Sequence, residues 1–587
     1  MDMTMGNVVY WHKNQVIVRA RSKAAQPANQ ASLSANNGQA GFTIQEIINL
    51  IGGGFADFQS PPQPFATIPP RPLNTFASAS PRVNDCLLFY HVNPDTQSIM
   101  ESKQGSNEAV TMDTVDATLS AIEILNNNKN LKDEAENKEC ILDFIPHWLW
   151  TATDDQSHGC PLTPPIPVEE SGAIGQWKIS FQQLVDSSLQ EKTGKGVAVF
   201  VLDTLPPQHQ IEWAAQHASG NTLLQRMTAG LTNSGSQPDV VPPAIKLNYS
   251  YDATIPAPSE SATTGKDIYG RLVGFPMADH GMAVAGIIRD LAPDAEIECI
   301  RILNDYGVGD ILTLTSALDD IKQRMDGGNM AKPVVVNLSL VVLPPVNGIP
   351  DGVTEDILQS TKETLYTHLQ ALAGKGAVIT ASAGNDSDPR DIYMNPLEVH
   401  FGPRYPAALA YDEPPVTTMI PVGAVNKKGE AAVYSNHPGY LGIATYAGEL
   451  PRPDPWVPSA MLHTITRAAS PIDALCCIYT SRLYPALSVN DHHALLPETP
   501  SQYPMYEASS SWAYWPGTSF ATPIISALAA RILQSQDPDS IDVRQAIRAQ
   551  TTQETIWSRV GDAREDISGL VIMATQEWKD DNDNNQA

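Results

Sequence analysis

The chain has 587 residues and a formal charge of −28, a length beyond one ordinary hydrophobic core that predicts two or three structural units. Hydrophobic residues at 42% against charged residues at 17% argue for a folded chain and against disorder. The acidic balance argues against nucleic acid and anionic membranes as partners, since binding either relies on Lys and Arg neutralising phosphate.

From the N-terminus, Met1 to Arg21 lacks an apolar stretch behind a basic start, and no uninterrupted apolar run of about 18 residues follows. The reading is therefore a cytoplasmic protein with no membrane partner. Six cysteines, Cys86, Cys140, Cys160, Cys299, Cys476 and Cys477, are scattered without CxxC pairs, which fits a reducing compartment. Cys476 and Cys477 are weighed as a redox or metal pair and read instead as ordinary thiols.

Gln15 to Ala20 reads as a strand. Ile44, Ile47, Ile48 and Ile51 fall at i, i+3, i+4, i+7 and predict one apolar stripe on a helix. Two low-complexity stretches, Arg21 to Gly41 and the Pro-rich Ser60 to Arg82, read as loops. Cys86 to Val92 is a buried-strand run. Val115, Thr118, Leu119 and Ile122 predict a second helix capped by Asp113 or Thr114, and Ile141 to Ile145 a closing strand. This order suits a small α+β domain of the α/β-plait kind over residues 1–153, followed by an exposed Pro-rich linker over 154–174.

From Gly175 short β-branched runs alternate with helical patterns: Val197 to Leu202, Ala295 to Ile302, Val334 to Leu340, Ala377 to Ala381 and Met419 to Val425. Alternation of this kind predicts an α/β fold with a parallel sheet covered by helices on both faces, over 175–575. Chemistry in such sheets gathers at the carboxyl ends of strands. Insertions are expected at about 205–275 and 449–511, and an acidic disordered tail at 576–587.

Three polar residues stand at such ends. Asp203 closes the run Val197 to Leu202. His280 opens the small-residue helix His280-Gly281-Met282-Ala283-Val284-Ala285-Gly286. Ser519 sits in Gly517-Thr518-Ser519-Phe520-Ala521-Thr522-Pro523, ahead of a helical stretch. A serine hydroxyl needs an imidazole to take its proton, and the imidazole needs a carboxylate to fix its tautomer. Asn385, in Ala381-Ser382-Ala383-Gly384-Asn385, is the candidate amide donor to a developing oxyanion, beside the Ser519 backbone N–H.

The order Asp, His, Ser in these local motifs resembles the subtilisin-like (subtilase) family of serine peptidases over roughly Trp177 to Leu533. Lys192 to Val197 leading into Asp203 looks like its first motif, Asp279 to Ile288 its histidine motif, Val336 to Leu340 its substrate-binding strand, and Gly517 to Pro523 its serine motif. The resemblance implies a serine endopeptidase with Ser519 as nucleophile, His280 as general base and acid, Asp203 as its orienting partner and Asn385 as oxyanion donor. It also implies that the backbone at Ser339, Leu340, Val341, Ser382, Ala383 and Gly384 grips a protein or peptide substrate by strand addition.

The chain departs from the family pattern where Leu205 and two prolines follow Thr204, where Met282 and Ala283 replace a common Thr and His, and where Ile524 follows Pro523. Val341 and Val342 stand where relatives carry glycines, which predicts a narrowed cleft and restricted substrates. The Asn-rich calcium loop of many relatives is missing after the histidine helix. The expectation is no metal site and no required cofactor, with weak calcium sites left open by abundant loop carboxylates. The N-terminal domain resembles the family's propeptide by element order, implying an intramolecular inhibitor and self-processing between Trp148 and Gly175. A catalytically inactive binding scaffold is the alternative.

Overall fold

Thr43 and Glu46 show how the first helix begins. The Thr43 hydroxyl accepts the Glu46 N–H at 3.2 Å, and the Glu46 carboxylate accepts the Thr43 N–H at 2.6 Å, a reciprocal capping box that satisfies two otherwise orphaned donors. The computed structural model describes residues 11–23, 42–54, 64–68, 85–92, 118–151, 165–168, 175–229, 231, 244–253, 277–328, 330, 333–342, 353–385, 387, 400–449, 473–483, 508–534, 541–560 and 564–580. The chain divides into two units. One comprises Met1–Leu149 with Asp310–Asp320 and Asn347–His368, and the other Trp150–Gly309, Ile321–Val346 and Leu369–Ala587.

In the first unit β1 (Trp11–Ser22), α1 (Ile44–Gly54), β2 (Pro64–Ile68), β3 (Asp85–His91), α2 (Thr118–Asn127), α3 (Lys129–Asn137) and β4 (Cys140–Thr151) follow in order. The strands form a sheet in which β1 lies between β3 and β4, antiparallel to both, with Ile17 opposite Phe89 on one side and Ile145 on the other. The isoleucine stripe of α1 is buried, as its spacing predicts. Two elements go beyond the sequence reading. Within the Pro-rich stretch expected as loop, β2 pairs with β3, and it lies at the sheet edge, where a leading proline is tolerated. Helix α3 buries only Leu131 and Ala135, too short a stripe to stand out. The caps expected at Asp113 or Thr114 lie outside the described residues.

This unit also takes in two segments from later in the chain. The Trp148 indole donates to the Thr361 hydroxyl at 2.8 Å. Arg19, only 3% exposed, donates to Asp85 at 2.8 Å and to Glu363 at 3.3 Å. A buried guanidinium is tolerable only when paired in this way.

The second unit carries the larger sheet. Its elements are β5 (Ile166–Pro167), β6 (Gly175–Phe181), β7 (Ala198–Asp203), α4 (Gln208–His217), α5 (Thr222–Thr228), β8 (Lys246–Asn248), α6 (His280–Leu291), β9 (Glu296–Arg301), β10 (Val308–Asp310), α7 (Ile311–Asp326), β11 (Val334–Leu338), α8 (Glu355–Ala373), β12 (Val378–Ser382), β13 (Met419–Val425), β14 (Ile443–Tyr446), β15 (Gly448–Glu449), β16 (Asp473–Ile478), β17 (Trp512–Trp515), α9 (Thr518–Leu533), α10 (Val543–Arg548), β18 (Gln553–Val560), β19 (Arg564–Ile572) and β20 (Ala574–Asp580). Of these, β10 ends, and α7 and α8 begin, in the first unit.

Nine strands run in the order β18-β19-β14-β13-β12-β11-β7-β9-β8. All pairs are parallel except β18 with β19. Every residue of β7, β11, β12, β13 and β14 is buried, which is why these strands read as near-continuous apolar runs. The fold is α/β with a largely parallel sheet, as expected.

Two segments expected to be unstructured contain strands. Ile166–Pro167 of the linker pairs with Ala513–Tyr514 of β17. Ala574–Asp580 pairs with β6, bringing Trp578 opposite Trp177 with ring centroids 5.5 Å apart. The acidic tail expected from residue 576 is thus ordered to Asp580. Its strand was hidden because polar and charged residues dominate it and only Trp578 offers a large apolar face.

Candidate active site

The parallel pairing of β7 with β9 and β11 fixes the end of β7, and Asp203 is its last residue. The Asp203 carbonyl accepts the Ile302 N–H at 2.9 Å, which holds the turn behind it. His280 begins α6, and its Nδ1 lies 2.7 Å from Asp203 Oδ1. Asp203 Oδ1 also accepts the Thr204 N–H at 2.6 Å, and the Thr204 hydroxyl donates to the Ala278 carbonyl at 2.9 Å. Thr204 therefore pins the start of α6 to the end of β7. Gly281 permits that closeness, since a Cβ there would meet the Thr204 carbonyl oxygen at 2.1 Å.

With Nδ1 directed at the carboxylate, the chemistry of His280 is left to Nε2, which is buried and has no hydrogen-bond partner among the described residues. Phe520 and Trp515 wall the imidazole, with ring centroids 5.1 Å and 5.7 Å away. Ser519 is the second residue of α9, a helix that packs on α6 and on β11, β12 and β13. Its Oγ donates to the Ser339 carbonyl at 3.2 Å, while the Ser339 hydroxyl donates back to the Ser519 carbonyl at 2.7 Å. Asn385 follows β12, and its Oδ1 accepts the Thr518 N–H and hydroxyl, each at 2.9 Å. That fixes the amide with its N–H end turned away from Thr518. Asp203, His280, Ser519 and Asn385 are all 0–1% exposed.

The expected substrate strand is partly engaged within the chain. Leu340 is buried and its carbonyl accepts the Ser382 hydroxyl at 3.2 Å. Ala383 uses both its N–H, to Val422, and its carbonyl, to Arg404, and the Gly384 carbonyl accepts from Asn436. Val341 is half-buried, whereas Val342 turns inward with its N–H on the Tyr405 carbonyl at 2.6 Å.

Sequence reasoning missed Asp279. Its carboxylate is 1% exposed and accepts the N–H and hydroxyl of both Thr480 and Ser481, which lie 201 and 202 residues away. Burial raises its pKa despite those hydrogen bonds. It anchors the residue before His280 to the chain just after β16, and no local pattern announces a partner so distant. Burial also pushes the Cys476 and Cys477 thiols up, which disfavours the reactive thiolate at both. Among the described residues, the three His, Cys, Asp or Glu side chains placed to share a metal ion are His12, His147 and Asp310 of the first unit.

Fold and site define an α/β protein with a subtilisin-like sheet and an Asp–His pair at the carboxyl end of a central strand. Residues 239–567, more than half the chain, match Peptidase_S8, the subtilase family, and the chain belongs to that family. The match begins beyond Asp203, so that residue rests on its contact with His280. The Minor extracellular protease Epr of Bacillus subtilis (strain 168) is 26% identical over 166 residues, covering 27% of this chain and 19% of that protein. Among solved structures, a lanthipeptide protease is 18% identical over 62% of this chain and 83% of that one, with a TM-score of 0.33. A cold adapted subtilisin-like serine proteinase is 16% identical over 65% and 90%, also at 0.33. The prenylagaramide maturation protease PagA is 17% identical over 62% and 88%, at 0.31. No helix among the described residues is long and apolar enough to cross a membrane.

Proposed function

We propose that the protein is a serine endopeptidase of restricted specificity, made as a precursor and self-processed in the segment between Trp148 and Gly175. The observation that carries this is the 2.7 Å contact from Asp203 to His280 Nδ1, which leaves a buried Nε2 without a partner. Asp203 holds the imidazole in the tautomer whose Nε2 can take a proton. The Ser519 hydroxyl turns from the Ser339 carbonyl toward that nitrogen as substrate enters, attacks the scissile carbonyl and gives its proton to His280. His280 returns the proton to the departing amine, and water then releases the acyl group. The Asn385 side-chain amide and the Ser519 N–H, at the first turn of α9, meet the developing oxyanion.

The N-terminal region acts as intramolecular inhibitor of the precursor until the segment between Trp148 and Gly175 is cut. Val342 is buried, so any narrowing of the cleft for a protein or peptide substrate falls to the half-buried Val341. No cofactor enters these steps. Five of the six cysteines, those among the described residues, are free and buried, which supports a reducing, cytoplasmic setting, although the relative Epr is named as extracellular.

Wild type and Ser519→Ala are compared by labelling with a fluorophosphonate and by intact mass. The expected outcome is labelling of the wild type with loss of a fragment ending between Trp148 and Gly175, and an intact, unlabelled variant. Turnover should fall on the order of 10⁶-fold in the variant. A wild type left unlabelled even after limited proteolysis of 154–174 would favour the inactive scaffold.

A further inference from the structure

His12 on β1, His147 on β4 and Asp310 ahead of α7 are 9%, 2% and 1% exposed, and none takes part in the chemistry above. Their candidate ligand atoms lie within 4.8 Å of one another. His12 Nε2 is 2.8 Å from Asp310 Oδ2, and the two imidazole centroids are 4.4 Å apart. His147 Nδ1 is 2.6 Å from Gln15 Oε1. Because that amide oxygen can only accept, Nδ1 carries the proton and Nε2 presents a bare lone pair. Nε2 is buried with no hydrogen-bond partner among the described residues, and Asp310 Oδ1 faces it at 3.6 Å. A lone pair facing a carboxylate oxygen in a dry interior is repulsive unless something positive lies between them.

His91 is stacked on Phe65, with ring centroids 4.4 Å apart. Phe89 and Phe65 border His147 at 5.1 Å and 6.4 Å and give the cluster an apolar wall.

We propose that His12, His147 and Asp310 bind one divalent transition-metal ion, Zn²⁺ by donor chemistry, through His12 Nε2, His147 Nε2 and an Asp310 oxygen. Two imidazoles and one carboxylate suit zinc, and a tetrahedral ion with bonds of about 2.0–2.1 Å holds its ligand atoms about 3.3 Å apart. His12 Nε2 lies 2.8 Å from Asp310 Oδ2 and His147 Nε2 3.6 Å from Oδ1, separations on either side of that value at the two oxygens of one carboxylate. The proton shared by His12 and Asp310 leaves as the ion enters. The outer contacts are those of a metal site: Gln15 fixes the His147 tautomer, and the Thr313 N–H and hydroxyl hold Asp310 Oδ1 at 2.8 Å and 2.7 Å. The ion would tie together strands and a helix start that are 298 residues apart in sequence.

Full-length Ser519→Ala protein is stripped with a chelator and titrated with Zn²⁺ against a chromogenic competitor, and separately with Co²⁺ while its visible spectrum is read. The expected result is one tight equivalent, a tetrahedral Co²⁺ spectrum and a raised melting temperature. His147→Ala should weaken binding more than about 100-fold, and the positioning variant Gln15→Ala about 10–100-fold, with unchanged circular dichroism in chelator. Failure of the stripped Ser519→Ala protein to take up zinc overturns the proposal and leaves a hydrogen-bonded cluster. So does uptake that both His147→Ala and His12→Ala retain. Because the parent protein carries the decisive titration, a variant that fails to fold does not obscure the answer.

Discussion

A methyl group on Gly281 would press against the Thr204 carbonyl oxygen and lie 3.0 Å from the Asp203 Cβ. Both atoms belong to rigid buried backbone or its first side-chain carbon, so α6 must retreat from β7 to admit it. Gly281→Ala is therefore expected to cost about 1–3 kcal/mol of stability and to slow fluorophosphonate labelling by loosening the Asp203–His280 contact. Urea unfolding reads the first effect; an unchanged midpoint would mean that the helix start has slack. At this scale the sequence was informative where chemistry leaves a motif. Asp203, His280, Ser519 and Asn385 each sit in a short recognisable string, and the structure brings Asp203 onto His280. It was silent about Asp279 clamped by Thr480 and Ser481, and about Ser339 bonded to Ser519, because those contacts join residues far apart in sequence.

Asp290, in the last turn of α6, accepts the Ile179 N–H of β6 at 2.6 Å and so joins helix to strand. Burial pushes its pKa to about 6, against the pull of that N–H and of Arg226. The folded state then keeps a proton that the unfolded chain surrenders near pH 4, so stability contributed by this group falls as pH rises from about 4 to about 6, by up to about 3 kcal/mol. Asp290→Asn retains a carbonyl for Ile179 and removes the titration. Its unfolding free energy, measured across that range, should lack the decline seen in wild type; parallel curves would refute the assignment. Elements were legible where apolar periodicity is strong, as in the α1 stripe and the buried β7 and β11. They were not where pairing partners supply the order: β2 begins with proline, α3 has two apolar contacts, and β20 is mostly polar.

For the whole molecule, the alternation of strands and helices announced the large sheet, but no local pattern could announce that Asp310–Asp320 and Asn347–His368 fold with Met1–Leu149. The Trp148–Thr361 and Arg19–Glu363 bonds lie inside that composite unit. A chain cut once between Trp148 and Gly175 is accordingly expected to keep its two pieces together. After limited proteolysis they should co-elute on size exclusion and part only in denaturant, whereas a separate N-terminal peak in native buffer would contradict it.

The same composite unit bears on inheritance. A crossover at the Pro-rich segment would bring in β1 to β4 from one parent and the starts of α7 and α8 from another, orphaning Arg19 and Trp148 in the hybrid. A chimera joined at that seam is expected to be less stable than either parent, because Trp148 and Arg19 find their partners 213 and 344 positions downstream.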